Sequence, residues 1–179
     1  MNLVLIGLRG TGKSTAGLIL SQRLVWPLFD SDSIVQERSG LTIRQLFESG
    51  GEALFRKWEA EVVQEIAKCE RAVIACGGGA ILDPKNVLAL RANGFVTHLT
   101  GSPSELWHRI SHDSASRETR PNLVASAGSG IEELQKLMLS RAAAYADARD
   151  VEVSVEERSP EEVADAIIVL MKAHGVLPH

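Results

Sequence analysis

Residues 7–14, GLRGTGKS, place Gly7, Gly12, Lys13 and Ser14 at the spacing G-x-x-x-x-G-K-[ST]. In such a loop successive backbone N–H groups turn inward onto phosphate oxygens, the lysine reaches the β- and γ-phosphates, and the hydroxyl after it takes a place on Mg²⁺. A nucleoside triphosphate is the ligand this pattern asks for. The loop alone does not separate a motor, a GTPase, a nucleotide-gated switch and a small-molecule kinase. The short chain lacks an N-K-x-D guanine-reading motif, which favours the small kinase.

Residues suited to a second substrate follow in order. Asp30 and Asp32 stand two apart in FDSDS, and two carboxylates facing bound phosphates suit one for the metal's water shell and one for an acceptor hydroxyl. The competing role for either is to cap the next helix. Arg56 and Glu59 share one side of a helix, beside a core stripe of Phe55, Trp58, Val62 and Ile66; an exposed pair of this kind contributes only about 0.2–0.5 kcal/mol. Gly77, Gly78 and Gly79 end an apolar run, as the close approach of a ligand or a sharp turn requires. Arg141 interrupts a stripe of Leu134, Met138 and Tyr145, where an arginine either snorkels outward or points into a polar cleft. Arg117 and Arg120 lie in a stretch rich in Ser, Gly, Asp and Arg at 111–130; it reads as a lid whose arginines close on transferring phosphate, or else as a solvated loop.

The elements that must position these residues alternate. Strands are expected at Leu3 to Ile6, 27–30, Ala72 to Ala75, Phe95 to Leu99 and Val151 to Val155, and helices at 13–24, 31–38, 51–68, 84–91, 102–111, 131–148 and 160–173. This order implies an α/β fold, a parallel sheet with helices on both faces. Asp83-Pro84, Ser102-Pro103 and Ser159-Pro160 each mark a helix start.

The 179 residues, 45% hydrophobic, suit one domain spanning 1–179 with its lid at about 111–130. Lys+Arg 19 against Asp+Glu 23 leaves a net charge of -4 and no basic face for nucleic acid or anionic lipid. Cys69 and Cys76 lack redox or zinc spacing and read as buried, reduced thiols. No apolar run approaches a membrane span, so a cytoplasmic location is expected.

Taken together, the P-loop at 7–14, DSD at 30–32, FRKWE at 55–59, GGG at 77–79, RPNL at 120–123 and Arg141 ahead of Tyr145 resemble shikimate kinase along essentially the whole chain. The resemblance implies a three-layer P-loop fold, nucleoside monophosphate kinase-like, with a five-stranded parallel sheet and a mobile lid. It implies transfer of the γ-phosphoryl of ATP, with Mg²⁺, to the 3-hydroxyl of shikimate, in the pathway to chorismate and the aromatic amino acids, by a monomer.

By the same resemblance Gly10, Thr11, Gly12, Lys13, Ser14 and Thr15 hold the nucleotide with Arg109, Arg120 and Arg158. Asp32, Arg56, Gly77, Gly78, Gly79 and Arg141 hold shikimate, the two arginines clamping its carboxylate and Glu59 fixing Arg56. Ser14 ligates the metal directly and Asp30 through water; Lys13, Asp32 and Arg120 are the catalytic residues. Asn122 and the pair Ala143-Ala144 depart from the family pattern, in lid packing and helix rigidity more than in chemistry. Two rivals remain: a P-loop kinase of another hydroxy acid such as gluconate, and a non-catalytic ligand sensor of similar fold.

Overall fold

In the computed structural model, residues 1–113 and 130–178 are described. The strands are β1 (Asn2–Ile6), β2 (Leu28–Asp30), β3 (Val73–Ala75), β4 (Gly94–Thr100) and β5 (Val151–Ser154). The helices are α1 (Lys13–Leu24), α2 (Ser31–Ser39), α3 (Ile43–Ile66), α4 (Pro84–Ala92), α5 (Pro103–His112), α6 (Gly130–Ala148) and α7 (Pro160–Ala173), with a 3₁₀ turn at Ala80–Leu82.

The sheet has the order β2-β3-β1-β4-β5 and every pairing in it is parallel. All five residues of β1 are buried, as a central parallel strand covered on both faces must be. Leu3, Val4, Leu5, Ile74, Val96 and Leu99 form the heart of the core. The expected strands and helices are present, most within a residue or two at each end.

The exception is α3, which starts at Ile43 rather than 51. Thr42 and Gln45 form a capping box, the Thr42 side chain accepting from Gln45 N while Thr42 N donates back to the Gln45 side chain. That T-x-x-Q start signal is legible in the sequence. Gly51, where the helix was expected to begin, instead kinks it at φ 68°, ψ -171°, a backbone conformation open to glycine.

Register explains why the functional residues share one edge. Asp30 of β2 pairs with Ala75 of β3, and Ala75 pairs with Leu5 of β1. Because the three strands run parallel and level, the residues that follow them (Ser31 and Asp32, Cys76 and Gly77, Gly7) leave the sheet side by side. The chain order reverses across β1, whose neighbours are β3 and β4. The carboxyl edge at such a reversal is where open parallel sheets bind ligands.

Candidate active site

The loop after β1 enters α1 through Gly12, at φ 79°, with no capping side chain. Asp30, Thr42, Asp83, Ser102 and Ser159 do cap α2, α3, α4, α5 and α7. The first turn of α1 therefore keeps N–H groups available to an anion. Lys13 Nζ donates to the carbonyls of Gly7 and Leu8, each at 2.8 Å, which holds the ammonium along the loop. A cleft of about 410 Å³ opens over this loop and is lined by Gly10, Thr11, Gly12, Lys13, Ser14 and Thr15 together with Arg109 and Arg158. Arg109 is braced by Glu105 at 2.7 Å and by the carbonyl of Val155 at 3.1 Å; Arg158 donates to the carbonyl of Ser154.

The two aspartates divide their work. Asp30 caps α2, one carboxylate oxygen accepting from Asp32 N and Ser33 N at 3.1 Å each, while its other oxygen accepts from Ser14 Oγ at 2.6 Å. The capping role that competed for Asp32 thus belongs to Asp30. Asp32 is 7% exposed and lines both the phosphate cleft and a neighbouring one.

That second cleft, about 680 Å³, is lined by Arg56, Glu59, Gly77, Gly78, Gly79 and Arg141 among others. The sequence left Arg56 and Glu59 as an ordinary surface pair. Folding buries Glu59 to 1% exposure while Trp58, expected in the core stripe, is only half-buried. Glu59 accepts from Arg56 Nη1 at 2.6 Å. Burial raises its carboxyl above the usual carboxylate range against the pull of Arg56, and the nearby Asp32 adds to the rise. Glu52 holds the other face of the guanidinium, at 2.8 Å from Nη2 and 3.1 Å from Nε. Sequence reading missed Glu52, although its place four residues before Arg56 is the signal for such a pair.

The glycines are explained by space. A Cβ on Gly77 would lie against the carboxylates of Asp32 and Glu59, and one on Gly79 would occupy the position of the Arg56 guanidinium. Gly78 is bound from the far side, its carbonyl accepting from Arg141 Nη1 at 2.9 Å and from Tyr145 Oη at 2.6 Å. Arg141 therefore points into the cleft, and Tyr145, 3% exposed, holds the same carbonyl. Burial pushes the Tyr145 phenol up to about 12, so it remains a donor. Cys76 is buried and free beneath this floor, its thiol raised above the ordinary range by burial; Cys69 is free and half-buried. Arg117 and Arg120 lie outside the described residues.

Two clefts meeting at one carboxylate, one over a phosphate loop and one carrying two arginines, suit phosphoryl transfer to a hydroxylated acid. Comparison with known proteins agrees. The family profile described as Shikimate kinase matches residues 9–172. The shikimate kinase of Geobacter sulfurreducens is 38% identical over 97% of this chain and 92% of its own. The structure of Acinetobacter baumannii shikimate kinase in complex with shikimate superposes with a TM-score of 0.89 at 28% identity, covering 97% of this chain and 93% of the other. Aquifex aeolicus shikimate kinase superposes at 0.77 with 31% identity, covering 98% and 99%. A gluconokinase from Sinorhizobium meliloti, at 17% identity and a TM-score of 0.54, shares the fold alone. The chain belongs to the shikimate kinase family.

Proposed function

We propose that the two clefts are the halves of one phosphoryl-transfer site whose residues divide the work as follows. The reaction is that of the family, phosphorylation of shikimate with ATP. Lys13 exchanges the carbonyls of Gly7 and Leu8 for β- and γ-phosphate oxygens, and the N–H groups of residues 10–15 cradle the remaining ones. Arg109 and Arg158 flank the nucleotide. Arg56 and Arg141 converge on the acceptor's carboxylate, each with a bidentate fork, and Glu59 and Glu52 keep Arg56 in place. Asp32 orients the 3-hydroxyl and accepts its proton. Arg120, by the family resemblance, adds positive charge from the lid.

The residues fit Mg²⁺. Ser14 Oγ and Asp30 Oδ2 are hard oxygen donors 2.6 Å apart, and Mg²⁺ takes one or two protein oxygens and completes its shell with water and phosphate. When bound there it neutralises charge on the phosphates. No helix among the described residues is long and apolar enough to cross a membrane.

The observation that carries this reading is Asp32, whose carboxylate borders both clefts. The test is ADP release from Mg²⁺-ATP by coupled assay, with shikimate, gluconate, quinate and no acceptor in parallel. Release that requires shikimate is expected, and Asp32→Asn lowers kcat strongly. Equal rates with gluconate would favour the hydroxy-acid rival, and ATP binding with no turnover on any acceptor would favour the sensor.

A further inference from the structure

Among the described residues, one other side chain shares with Asp32 the property of lining both clefts: Arg9. It is the third residue of the phosphate loop, half-buried, and neither the P-loop spacing nor the acceptor motifs call for a cation there. Its backbone meets the acceptor floor directly. A Cβ on Gly78 would lie 3.7 Å from Arg9 N and 3.3 Å from the carbonyl of Gly7, so at this point the phosphate loop and the triple-glycine segment are in contact with nothing between them. A long side chain leaving the loop here stands where donor and acceptor meet.

Lys13, Arg56 and Arg141 make contacts beside this boundary. Lys13 lies along the phosphate loop, and Arg56 and Arg141 are held over the acceptor cleft by Glu59 and by the carbonyl of Gly78. What crosses the boundary is the phosphoryl group itself, with its charge spread over three equatorial oxygens. A planar guanidinium with several donors suits that target better than an ammonium.

We propose that Arg9 touches the phosphoryl group as it passes from nucleotide to acceptor and stays on the phosphate of the product. This rests on the kinase reading above. In the step, the bond from the γ-phosphorus to the bridging oxygen breaks and its electron pair stays with ADP. The acceptor hydroxyl oxygen forms the new bond to phosphorus, and its proton passes to Asp32. Arg9 forms no covalent bond; its charge offsets that of the group in transit.

The test uses the full chain with Arg9→Met, which keeps an unbranched, shorter stem without the charge, and Arg9→Lys, with thermal melting to confirm that both fold. Steady-state kinetics in ATP and shikimate are combined with calorimetric titration of shikimate and of its phosphorylated product. The expected result for Arg9→Met is a kcat lower by about 10- to 100-fold, both KM values within about threefold, and weaker binding of the phosphorylated product but not of shikimate; Arg9→Lys recovers part of kcat. A raised KM for shikimate with unchanged kcat would overturn the proposal and make Arg9 a third carboxylate ligand. Unchanged kinetics and unchanged product binding would overturn it as well. A wild-type chain that does not phosphorylate shikimate would instead remove the kinase reading on which the proposal stands.

Discussion

The phenol of Tyr145 donates a 2.6 Å hydrogen bond to the carbonyl of Gly78, the carbonyl that also receives Arg141. One carbonyl oxygen thereby ties the C-terminal half of α6 to the floor of the second cleft and holds Arg141 there. Tyr145 is itself held in place by the imidazole of His98, stacked on its ring at 4.3 Å and 4°.

Tyr145→Phe keeps the ring and the stack and removes one neutral hydrogen bond, which contributes about 1 kcal/mol. The expected outcome is a KM for shikimate raised about fivefold, that same 1 kcal/mol expressed as affinity, with the KM for ATP unchanged. Steady-state kinetics with each substrate varied in turn checks this. An equal effect on both substrates would mean that the tyrosine supports the fold rather than the acceptor cleft.

Gly79→Ala tests the seat of the Arg56 guanidinium. Gly79 has φ -109°, ψ -2°, in the bridge region that alanine can also enter. The atoms nearest an added Cβ are those of the Arg56 guanidinium, at the end of a flexible side chain that can swing away. Gly79 is buried, and a displaced Arg56 leaves the buried Glu59 carboxylate without its 2.6 Å partner, so stability should fall by about 1–3 kcal/mol while the KM for shikimate rises by about tenfold or more. Urea denaturation beside kinetics measures the two effects. In Gly77→Ala the obstacles are the buried carboxylates of Asp32 and Glu59, so that variant is expected to lose stability as well.

Asp30 carries two duties that substitution can divide. Asp30→Asn retains a carbonyl oxygen to cap α2 and loses the charge that faces Ser14; Asp30→Ala loses both. Only the alanine variant should lose the cap's contribution of about 1 kcal/mol. Both should need a higher Mg²⁺ concentration for half-maximal rate. Thermal melts and a Mg²⁺ titration of turnover test this, and an unaltered Mg²⁺ requirement in Asp30→Asn would remove Asp30 from the metal's surroundings.

Burial pushes His98 down to about 4, against the opposing pull of Glu152 and with Arg149 and Lys13 adding to the fall. The unfolded chain, with an ordinary imidazole near 6.5, binds the proton first, so stability is full above about 6.5 and falls as pH drops towards about 4. His98→Phe keeps a ring against Tyr145 and removes the titration. Its melting temperature should depend less on pH between about 6.5 and 4 than that of the wild type, and equal slopes in that window would exclude His98 as the source.

Local pattern determined much of this protein. The phosphate loop, the strands and helices and the caps at Asp83, Ser102 and Ser159 were legible because each depends on neighbours a few residues apart, and the family because several such motifs recur in one order along the chain. Tertiary structure decided what those neighbours could not. Arg56 and Glu59 have the same spacing whether exposed or buried; only the packing of α3 against α2 and over the glycines that follow β3 takes Glu59 out of water and makes the pair a held cation. Arg141 could leave its stripe outward or inward, and the carbonyl of Gly78, 63 residues away, chose inward. Asp30 and Asp32 are alike in sequence, and their division follows from β2 ending level with β1, which sets Asp30 beside Ser14 and leaves Asp32 at the junction of the clefts. Side-chain chemistry is local, but burial and convergence belong to chain segments that meet only after folding.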